Sequence, residues 1–331
     1  MTTAMLMMMT TRQWSNRNIM RILFMGTSEF AVPSLHALIE KQYEIVSVVT
    51  QPDRPHGRGG RLSISPMKAA AVALNLPVLQ PLKVRHAEFV EAVVQLNPDV
   101  SVVAAFGQLI PQRLLDVPRL GSINVHGSLL PRWRGAAPMQ YSLISGDPTT
   151  GVTTMQMDAG LDTGDILLKA ETALEDEDNL SSVESKLSLI GADLLIQTLE
   201  KLQQGVCPRV AQDEAFVTYA PSLASDFGKL DWNSDALALH NITRGVTPKP
   251  GAYTMWTGKR LKIWQTKVVE TTDPGTHPPG TVETVTSQGI TIVTGNKSLL
   301  LIRVQPEGKA QMPAEAWARG ARLAAGSHIG E

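Results

Sequence analysis

The chain has 331 residues, of which 43% are hydrophobic, and its formal net charge is −1. This length suits two domains, and this composition suits a normal hydrophobic core. The small net charge excludes a general attraction to nucleic acid, so any such binding would need a local basic patch. The single cysteine, Cys207, excludes an internal disulfide and no Cys/His cluster has zinc-site spacing, so we expect a chain without metal in a reducing cytoplasm.

The first nineteen residues hold two arginines and no acid. Their apolar run, at 4–9, is shorter than the core of a secretory signal peptide, which spans about 7–15 residues. A transmembrane helix needs about 18 apolar residues in a row, and the sequence has no such run. We therefore expect a disordered leader over residues 1–19, globular structure from Met20 onward, and no membrane contact.

Apolar runs alternate with amphipathic segments over residues 20–205. The pattern predicts strands at 21–26, 44–50, 78–79, 100–106, 122–126, 152–157 and 166–174. It predicts helices at 30–41, 67–74, 86–96, 111–117, 136–145 and 180–204. Such alternation, with strands that are apolar throughout, indicates an α/β fold with a Rossmann-like, mostly parallel sheet.

After Gly205 the pattern changes. Residues 206–224 read as a linker, and residues 225–331 form a second region of short β runs. Strands are predicted at 251–256, 260–269, 280–286, 289–293 and 298–304. Short strands separated by turns indicate a small β-barrel or sandwich.

Two polar side chains end the strand in INVHGSLLPRWRGAAP. Asn124 and His126 are two residues apart and project to the same side, at the edge where open α/β sheets bind ligands. The turn MDAGLDTGD places Asp162 between two glycines, and its carboxylate can face the imidazole across that edge. A hydrogen-bonded structural pair and a solvated acidic turn fit the same residues. The site interpretation requires Asp162 to lie beside the other two side chains.

The pattern N-V-H-G-S-L-L-P-x-x-x-G, followed by L-D-T-G-D, resembles the folate-dependent formyltransferase family. MRILFMGTSEFAVPSL and VTQPDRPHGRGGR extend this resemblance over most of the chain. It implies a formyltransferase fold, with 10-formyltetrahydrofolate as the co-substrate that gives a one-carbon unit to an amine. The implied catalytic residues are Asn124, His126 and Asp162. The implied folate-binding residues are Ser128, Leu129, Leu130 and Pro131, although the two leucines also suit a core.

Two basic regions bear on the acceptor. The Gly-rich loop after Asp53 carries Arg54, Arg58 and Arg61, and the C-terminal region carries Arg244, Lys249, Lys259 and Arg260 among aromatic residues. Basic residues in such settings can contact nucleic-acid phosphates, although a solvated loop and a surface charge run beside core tryptophans fit equally well. In the tRNA-formylating members, the resemblance implies initiator Met-tRNA as the partner, held by a C-terminal domain similar to an OB-fold. In this chain Tyr219-Ala220 is followed by serines where the family usually has lysines, which leaves linker contacts with tRNA unassigned.

Other functions compete with this one. A formyltransferase for a sugar-nucleotide amine fits the same catalytic residues, whereas one for glycinamide ribonucleotide would lack the basic region at 225–331. A nicotinamide dehydrogenase is disfavoured because the turn Met25–Phe30 lacks the second and third glycines of G-x-G-x-x-G. A non-catalytic RNA-binding barrel would not need the Asn, His and Asp set. Nothing in the sequence demands a dimer, and we expect a monomer.

Overall fold

A computed structural model describes residues 19–56, 61–271 and 277–330 of the chain. The predicted leader, apart from Ile19, lies outside the described residues. Among the helices in these ranges, none combines the length and the apolarity that crossing a membrane requires.

The N-terminal part contains nine strands and six α-helices among its described residues. The strands are β1 (Arg21–Gly26), β2 (Glu44–Val49), β3 (Arg54–His56), β4 (Arg61–Ser63), β5 (Val78–Leu79), β6 (Val100–Ala104), β7 (Ser122–His126), β8 (Thr149–Gln156) and β9 (Ile166–Ala173). The helices are α1 (Val32–Glu40), α2 (Pro66–Ala73), α3 (Ala87–Leu96), α4 (Gln112–Leu115), α5 (Pro138–Ile144) and α6 (Leu180–Gln203). A short 3-10 helix, Glu29–Ala31, precedes α1.

Seven of these strands form one sheet in the order β5-β2-β1-β6-β7-β8-β9. The first five are parallel, β8 pairs antiparallel with β7, and β9 pairs antiparallel with β8. Alternate residues of β1 enter two cores, because Ile22 packs with residues of α1 and α6 while Leu23 packs with residues of α3. The predicted α/β fold with a mostly parallel sheet, covered on both faces, is confirmed.

The C-terminal part has a sheet of its own. Its strands are β10 (Ala252–Trp256), β11 (Lys259–Val269), β12 (Val282–Thr286), β13 (Gly289–Val293), β14 (Ser298–Pro306) and β15 (Met312–Pro313), and its helices are α7 (Ala236–Val246) and α8 (Ala314–Ala321). The order is β10-β11-β14-β13-β12, with β15 on β14, and every pair is antiparallel. Strands and helices enclose one apolar core. This agrees with the expected small barrel resembling an OB-fold.

The two parts meet where α5 packs against α7. Gly245 lies at this contact, and a Cβ built on it would be 2.6 Å from Cγ1 of Ile144 and 3.1 Å from the carbonyl oxygen of Gln140. Only glycine allows the two helices to approach this closely. The close approach joins the C-terminal part to the helix that follows the polar end of β7.

Three elements differ from the sequence prediction. Helix α7 lies in the region for which only short β runs were predicted, and the carboxylate of Asp235 caps it by accepting a hydrogen bond from the N–H of Leu237 at 2.7 Å. Helix α8 follows Pro313 in a region that the pattern assigned to strands and turns. The predicted loop after Asp53 contains the hairpin of β3 and β4, which pair antiparallel.

Candidate active site

Three polar side chains meet at the carboxyl end of β7. The Nδ2 atom of Asn124 lies 3.4 Å from Oδ1 of Asp162, and Nδ1 of His126 lies 3.7 Å from Oδ2 of the same carboxylate. Asn124 pairs with Val103 on β6 and with Met155 on β8, so β7 is an inner strand of the sheet with a neighbour on each side. The arrangement that the sequence interpretation required is therefore present, while the catalytic roles of these residues stay a prediction.

The turn between β8 and β9 presents the carboxylate of Asp162. The carboxylate of Asp158 closes this turn by accepting hydrogen bonds from the N–H of Gly160 at 3.0 Å and the hydroxyl of Thr163 at 2.7 Å. Asp162 has a φ of +53°, in the left-handed region that aspartate tolerates better than most residues. A Cβ on Gly164 would lie 1.7 Å from the carbonyl oxygen of Gln156. The turn thus requires glycine at 164.

One ring nitrogen of His126 forms a hydrogen bond with the protein backbone. The side chain is only 5% exposed, and its Nε2 lies 3.0 Å from the carbonyl oxygen of Trp133. Because a carbonyl oxygen can only accept a hydrogen bond, we assign the hydrogen to Nε2. The other nitrogen, Nδ1, then faces Asp162 and is the ring atom left for chemistry.

A cluster around Asp147 holds Trp133 in place. Trp133 has a φ of +67°, and its indole N–H donates to Oδ2 of Asp147 at 2.7 Å. The guanidinium of Arg132 donates twice to Asp147, at 3.0 and 2.6 Å, and lies 4.2 Å above the indole ring. The hydrogen bond to Asp147 raises the pKa of Arg132 above its ordinary value. This cluster fixes the carbonyl group that orients His126.

The predicted linker contributes contacts that sequence reasoning missed. Arg134 is only 1% exposed, its N–H donates to the carbonyl of Thr218 at 2.9 Å, and its carbonyl accepts from the N–H of Ala220 at 2.7 Å. The next residue, Gly135, donates its N–H to Oδ2 of Asp162 at 2.8 Å. Gln212 also contacts the turn of Asp162. No sequence signal marks Arg134 or Gln212, because arginine and glutamine are mostly exposed in proteins. Gly135, in contrast, is the last glycine of the pattern N-V-H-G-S-L-L-P-x-x-x-G.

The four predicted folate-binding residues follow β7 directly. Ser128 is buried and donates its hydroxyl to the carbonyl of Arg132 at 2.6 Å. Leu130 is fully buried against Met155 and Ile166, and its N–H donates to the hydroxyl of Thr153 at 3.1 Å. Leu129 and Pro131 are half-buried. The side chains of Ser128 and Leu130 are thus engaged within the protein, and those of Leu129 and Pro131 are the partly exposed ones of this segment.

The basic loop after Asp53 has a fixed base. The carboxylate of Asp53 accepts hydrogen bonds from Nζ of Lys68 at 2.5 Å and Nε2 of Gln80 at 2.8 Å, and these bonds hold the pKa of Asp53 below its ordinary value. Arg54 follows on β3 and is exposed. Arg58 lies outside the described residues. Arg61 lies on β4, and its side chain is outside the described part of the chain.

The predicted basic residues of the C-terminal part differ in exposure. Lys249, Lys259 and Arg260 are exposed, and the guanidinium of Arg260 lies 4.2 Å above the ring of Tyr253. Arg244 is half-buried and donates to Oδ1 of Asn241 at 2.8 Å and to the carbonyl of Glu175 at 3.0 Å. Burial lowers the pKa of Arg244. Arg244 therefore also holds α7 against the N-terminal part.

The aromatic residues beside these charges are wholly or partly buried. Tyr253 is buried, Trp256 packs against the C-terminal core, and the indole of Trp264 donates to Oε1 of Gln305 at 3.1 Å. A groove of about 480 Å³ lies next to them and is lined in part by Arg260 and Lys262. This face offers charges to a nucleic-acid backbone and few free rings for base stacking.

Comparisons with known protein families give matches over both parts of the chain. The model of the family described as "Formyl transferase" matches residues 20–199, and the model described as "Formyl transferase, C-terminal domain" matches residues 222–322. The first match covers the strand end and the turn that hold Asn124, His126 and Asp162.

Curated relatives align with the chain almost end to end. The chain is 47% identical to the methionyl-tRNA formyltransferase of Geotalea daltonii over 311 residues, which cover 94% of this chain and 98% of the relative. It is 43% identical to that of Clostridioides difficile over 311 residues, or 94% of this chain and 100% of the relative.

Solved structures share the fold at lower identity. The N-formyltransferase from Helicobacter canadensis, solved with folinic acid and dTDP-3-aminofucose, matches with a TM-score of 0.66 and 15% identity, covering 87% of this chain and all of that one. HypX from Aquifex aeolicus, in complex with tetrahydrofolic acid, matches with a TM-score of 0.61 and 17% identity over 90% of this chain. This chain spans about half the length of HypX, since the match covers 47% of it.

Proposed function

This chain belongs to the formyl transferase family, and on that premise we propose that it transfers the formyl group of 10-formyltetrahydrofolate to the α-amino group of methionine on initiator Met-tRNA. Such a reaction supports the initiation of translation. The observation that carries the proposal is the meeting of an amide, an imidazole and a carboxylate at the end of β7, in a chain that aligns almost end to end with methionyl-tRNA formyltransferases.

The reaction begins with direct attack of the amine on the formyl carbon. A free α-amino group has a pKa of about 7.7–8.0, so a usable fraction is neutral near pH 7. Attack forms a C–N bond and moves the carbonyl electrons onto oxygen, and an N–H of Asn124 can donate to that oxyanion. No enzyme nucleophile is needed, and burial raises the pKa of the Cys207 thiol, which disfavours the thiolate.

Two protons move as the intermediate collapses. The attacking nitrogen loses one, and N10 of the folate receives one as its bond to the formyl carbon breaks. Because Nε2 of His126 is bonded to the carbonyl of Trp133, we assign the transfer to Nδ1 together with the carboxylate of Asp162. A proton on Nδ1 would lie between the ring and that carboxylate. The products are a formylated amine and tetrahydrofolate, and no metal takes part.

The binding roles follow the same proposal. The proposed folate-binding residues are Ser128, Leu129, Leu130 and Pro131, which follow the catalytic strand directly. The proposed tRNA contacts are Arg54, Arg58, Arg61, Arg244, Lys249, Lys259 and Arg260. Catalytic residues lie in residues 20–205 and a tRNA-binding domain in 225–331, joined through 206–224. All three proposed catalytic side chains come from one chain, which supports a monomer, and both substrates suit the cytoplasm.

Formylation of charged initiator tRNA tests the proposal. The purified chain is mixed with 10-formyltetrahydrofolate and either Met-tRNA or dTDP-3-aminofucose, and the formylated product is measured by mass spectrometry. We expect product from Met-tRNA, with a kcat/KM at least about 100-fold above that for the sugar, and a loss of about 10²–10³-fold in kcat for Asn124→Ala. Faster formylation of the amino sugar would contradict the assignment of the acceptor.

A further inference from the structure

We propose that Gln212 is a positioning residue for Asp162, and thus that the segment between the two sheets sets the geometry of formyl transfer. This inference rests on the proposed function and extends it to a residue outside the catalytic strand and turn. Gln212 lies 50 positions from Asp162 along the chain, yet its side chain is only 9% exposed because it is packed against the turn that carries this aspartate.

The amide of Gln212 uses both of its ends. Its Nε2 donates to the carbonyl of Asp162 at 2.7 Å and to the carbonyl of Gly164 at 2.8 Å. Its Oε1 accepts from Nε of Arg134 at 3.0 Å. The two donated bonds use both amide hydrogens, and the accepted bond uses one of the two lone pairs on the oxygen. Gln212 therefore ties the turn of Asp162 to the buried arginine.

Arg134 connects this amide to two of the proposed catalytic side chains, His126 and Asp162. Its neighbours in sequence are Trp133, whose carbonyl accepts from His126, and Gly135, whose N–H donates to Asp162. Its guanidinium also donates to the carboxylate of Glu214 at 2.8 and 3.4 Å. The contacts thus run from the connecting segment through Arg134 to the groups that orient the imidazole and the carboxylate.

The backbone of Asp162 depends on outside support. Its φ of +53° is uncommon for a residue other than glycine and persists where neighbouring groups hold it. Gln212 binds the carbonyl of this residue, while Gly135 binds its carboxylate. Loss of the Gln212 bonds would let the peptide turn and move the carboxylate away from Nδ1 of His126. A displacement of about 1 Å at such a place can lower a rate by about 100-fold.

Gln212→Glu separates positioning from general packing. The substitution keeps the length of the side chain and an acceptor for Arg134 but replaces the NH₂ group, which donates both hydrogens, with one carboxylate oxygen that faces two carbonyls. We expect kcat to fall by about 10–100-fold while KM for each substrate changes by less than about twofold. Gln204→Glu, at the exposed end of α6, is the matched control and should leave both parameters unchanged. A Gln212→Glu enzyme with wild-type kcat would overturn the proposal.

A double substitution tests whether Gln212 acts through Asp162. If it does, adding Gln212→Glu to an Asp162→Asn enzyme lowers kcat by less than about threefold, because the group that it positions is already disabled. Independent losses that multiply would contradict the proposal. Thermal unfolding checks that each variant is folded, and Gln212→Asn, an amide too short to reach both carbonyls, takes the place of Gln212→Glu if that variant does not fold.

A measurement without substrate keeps this proposal separate from the proposed function. The ¹⁵N resonances of the His126 ring report which nitrogen carries hydrogen and what lies next to it. We expect Gln212→Glu to shift the Nδ1 resonance in the same direction as Asp162→Asn, with Gln204→Glu unchanged. An unmoved resonance in Gln212→Glu would refute the positioning role. Failure of the wild-type chain to formylate Met-tRNA would instead refute the function and leave this result standing.

Discussion

The two ring nitrogens of His126 have different surroundings, so a substitution that removes one contact should have a different effect from one that removes the other. The Nε2 atom donates to the backbone carbonyl of Trp133, so its role is to orient the ring. The Nδ1 atom faces the carboxylate of Asp162 and carries the proposed chemistry. A side chain that keeps the contact with Trp133 but has no group in place of Nδ1 would show the effect on catalysis apart from the effect on stability.

His126→Gln is such a substitution, because its amide nitrogen can replace Nε2 as the donor to Trp133 while nothing replaces Nδ1. We expect kcat/KM to fall by about 10²–10⁴-fold, the usual contribution of a positioned acid or base. The free energy of unfolding, measured in urea, should stay closer to wild type than that of His126→Ala. If His126→Gln kept full activity, Nδ1 would have no role in proton transfer.

At this scale the sequence predicted where Asn124, His126 and Asp162 meet, but it did not predict the residues that hold them there. The spacing of Asn124 and His126 follows from the two-residue period of a strand, and the adjacent glycines marked Asp162 as a turn residue. Gln212 and Arg134 could not be predicted, because their importance comes from burial against a turn distant in sequence. Burial of an arginine is a property of the folded molecule, and no local pattern of residues encodes it.

Helix α6 is the longest element of the N-terminal part, and a reciprocal pair of hydrogen bonds, a capping box, closes its N-terminus. The side-chain oxygen of Asn179 accepts from the N–H groups of Ser181 and Ser182, and the hydroxyl of Ser182 accepts from the N–H of Asn179. Asn179→Ala removes one side of this capping box. We expect the free energy of unfolding to drop by about 1 kcal/mol, measured by urea denaturation.

The control for this cap is Ser185→Ala, which changes an exposed side chain one turn further along the same helix. It should leave the free energy of unfolding within about 0.5 kcal/mol of wild type. An equal loss in both variants would mean that the capping contacts add nothing beyond ordinary surface effects.

Strand β11 begins with Lys259 and Arg260, both exposed. If these residues contact tRNA phosphates, Lys259→Ala with Arg260→Ala should raise KM for tRNA and reduce the slope of log K against log salt by about 1–2, with kcat at saturation unchanged. Filter binding at several salt concentrations measures the slope. A control pair, Lys41→Ala with Lys83→Ala, removes the same charge from exposed sites elsewhere and should leave the slope as in wild type.

Elements with a strong local signal were predicted well, and those that depend on context were not. Strand β7 was predicted with its observed bounds because it is a short apolar run between clear turn residues. Helix α7 was missed although Asp235 is a good cap, because the neighbouring residues were read together with the β runs that follow. Hairpin β3–β4 was missed because its short strands lack an apolar alternation.

The molecule as a whole should respond to pH through the region where its two parts meet. His240 on α7 lies between them, with Nδ1 2.9 Å from the hydroxyl oxygen of Thr266 and Nε2 3.4 Å from the carbonyl oxygen of Asp176. A cavity of about 630 Å³ borders these residues. Burial, and then the charge of Arg244, lower the pKa of His240, while Asp176 and Glu177 act in the opposite direction.

The sign of the effect follows from that direction. In the unfolded chain a histidine takes up its proton near pH 6.5, whereas folded His240 remains neutral to lower pH, so the unfolded state binds more protons in between. The free energy of unfolding should therefore fall as the pH drops below about 6.5. We expect His240→Gln to weaken this dependence between pH 7 and 5 in urea titrations, and the exposed His36→Gln to leave it unchanged. Identical curves for wild type and His240→Gln would exclude this contribution.

The contact of α5 with α7 through Gly245 has a mechanical consequence. Helix α5 begins three positions after Gly135, whose N–H binds the carboxylate of Asp162. The packing of α5 against α7 therefore also sets the distance between the basic surface of β10 and β11 and the proposed catalytic side chains. A fixed distance between the two places limits which acceptors can react. If the acceptor is bound there through its phosphates, as the proposed function requires, it must be long enough for its amine to reach the formyl carbon.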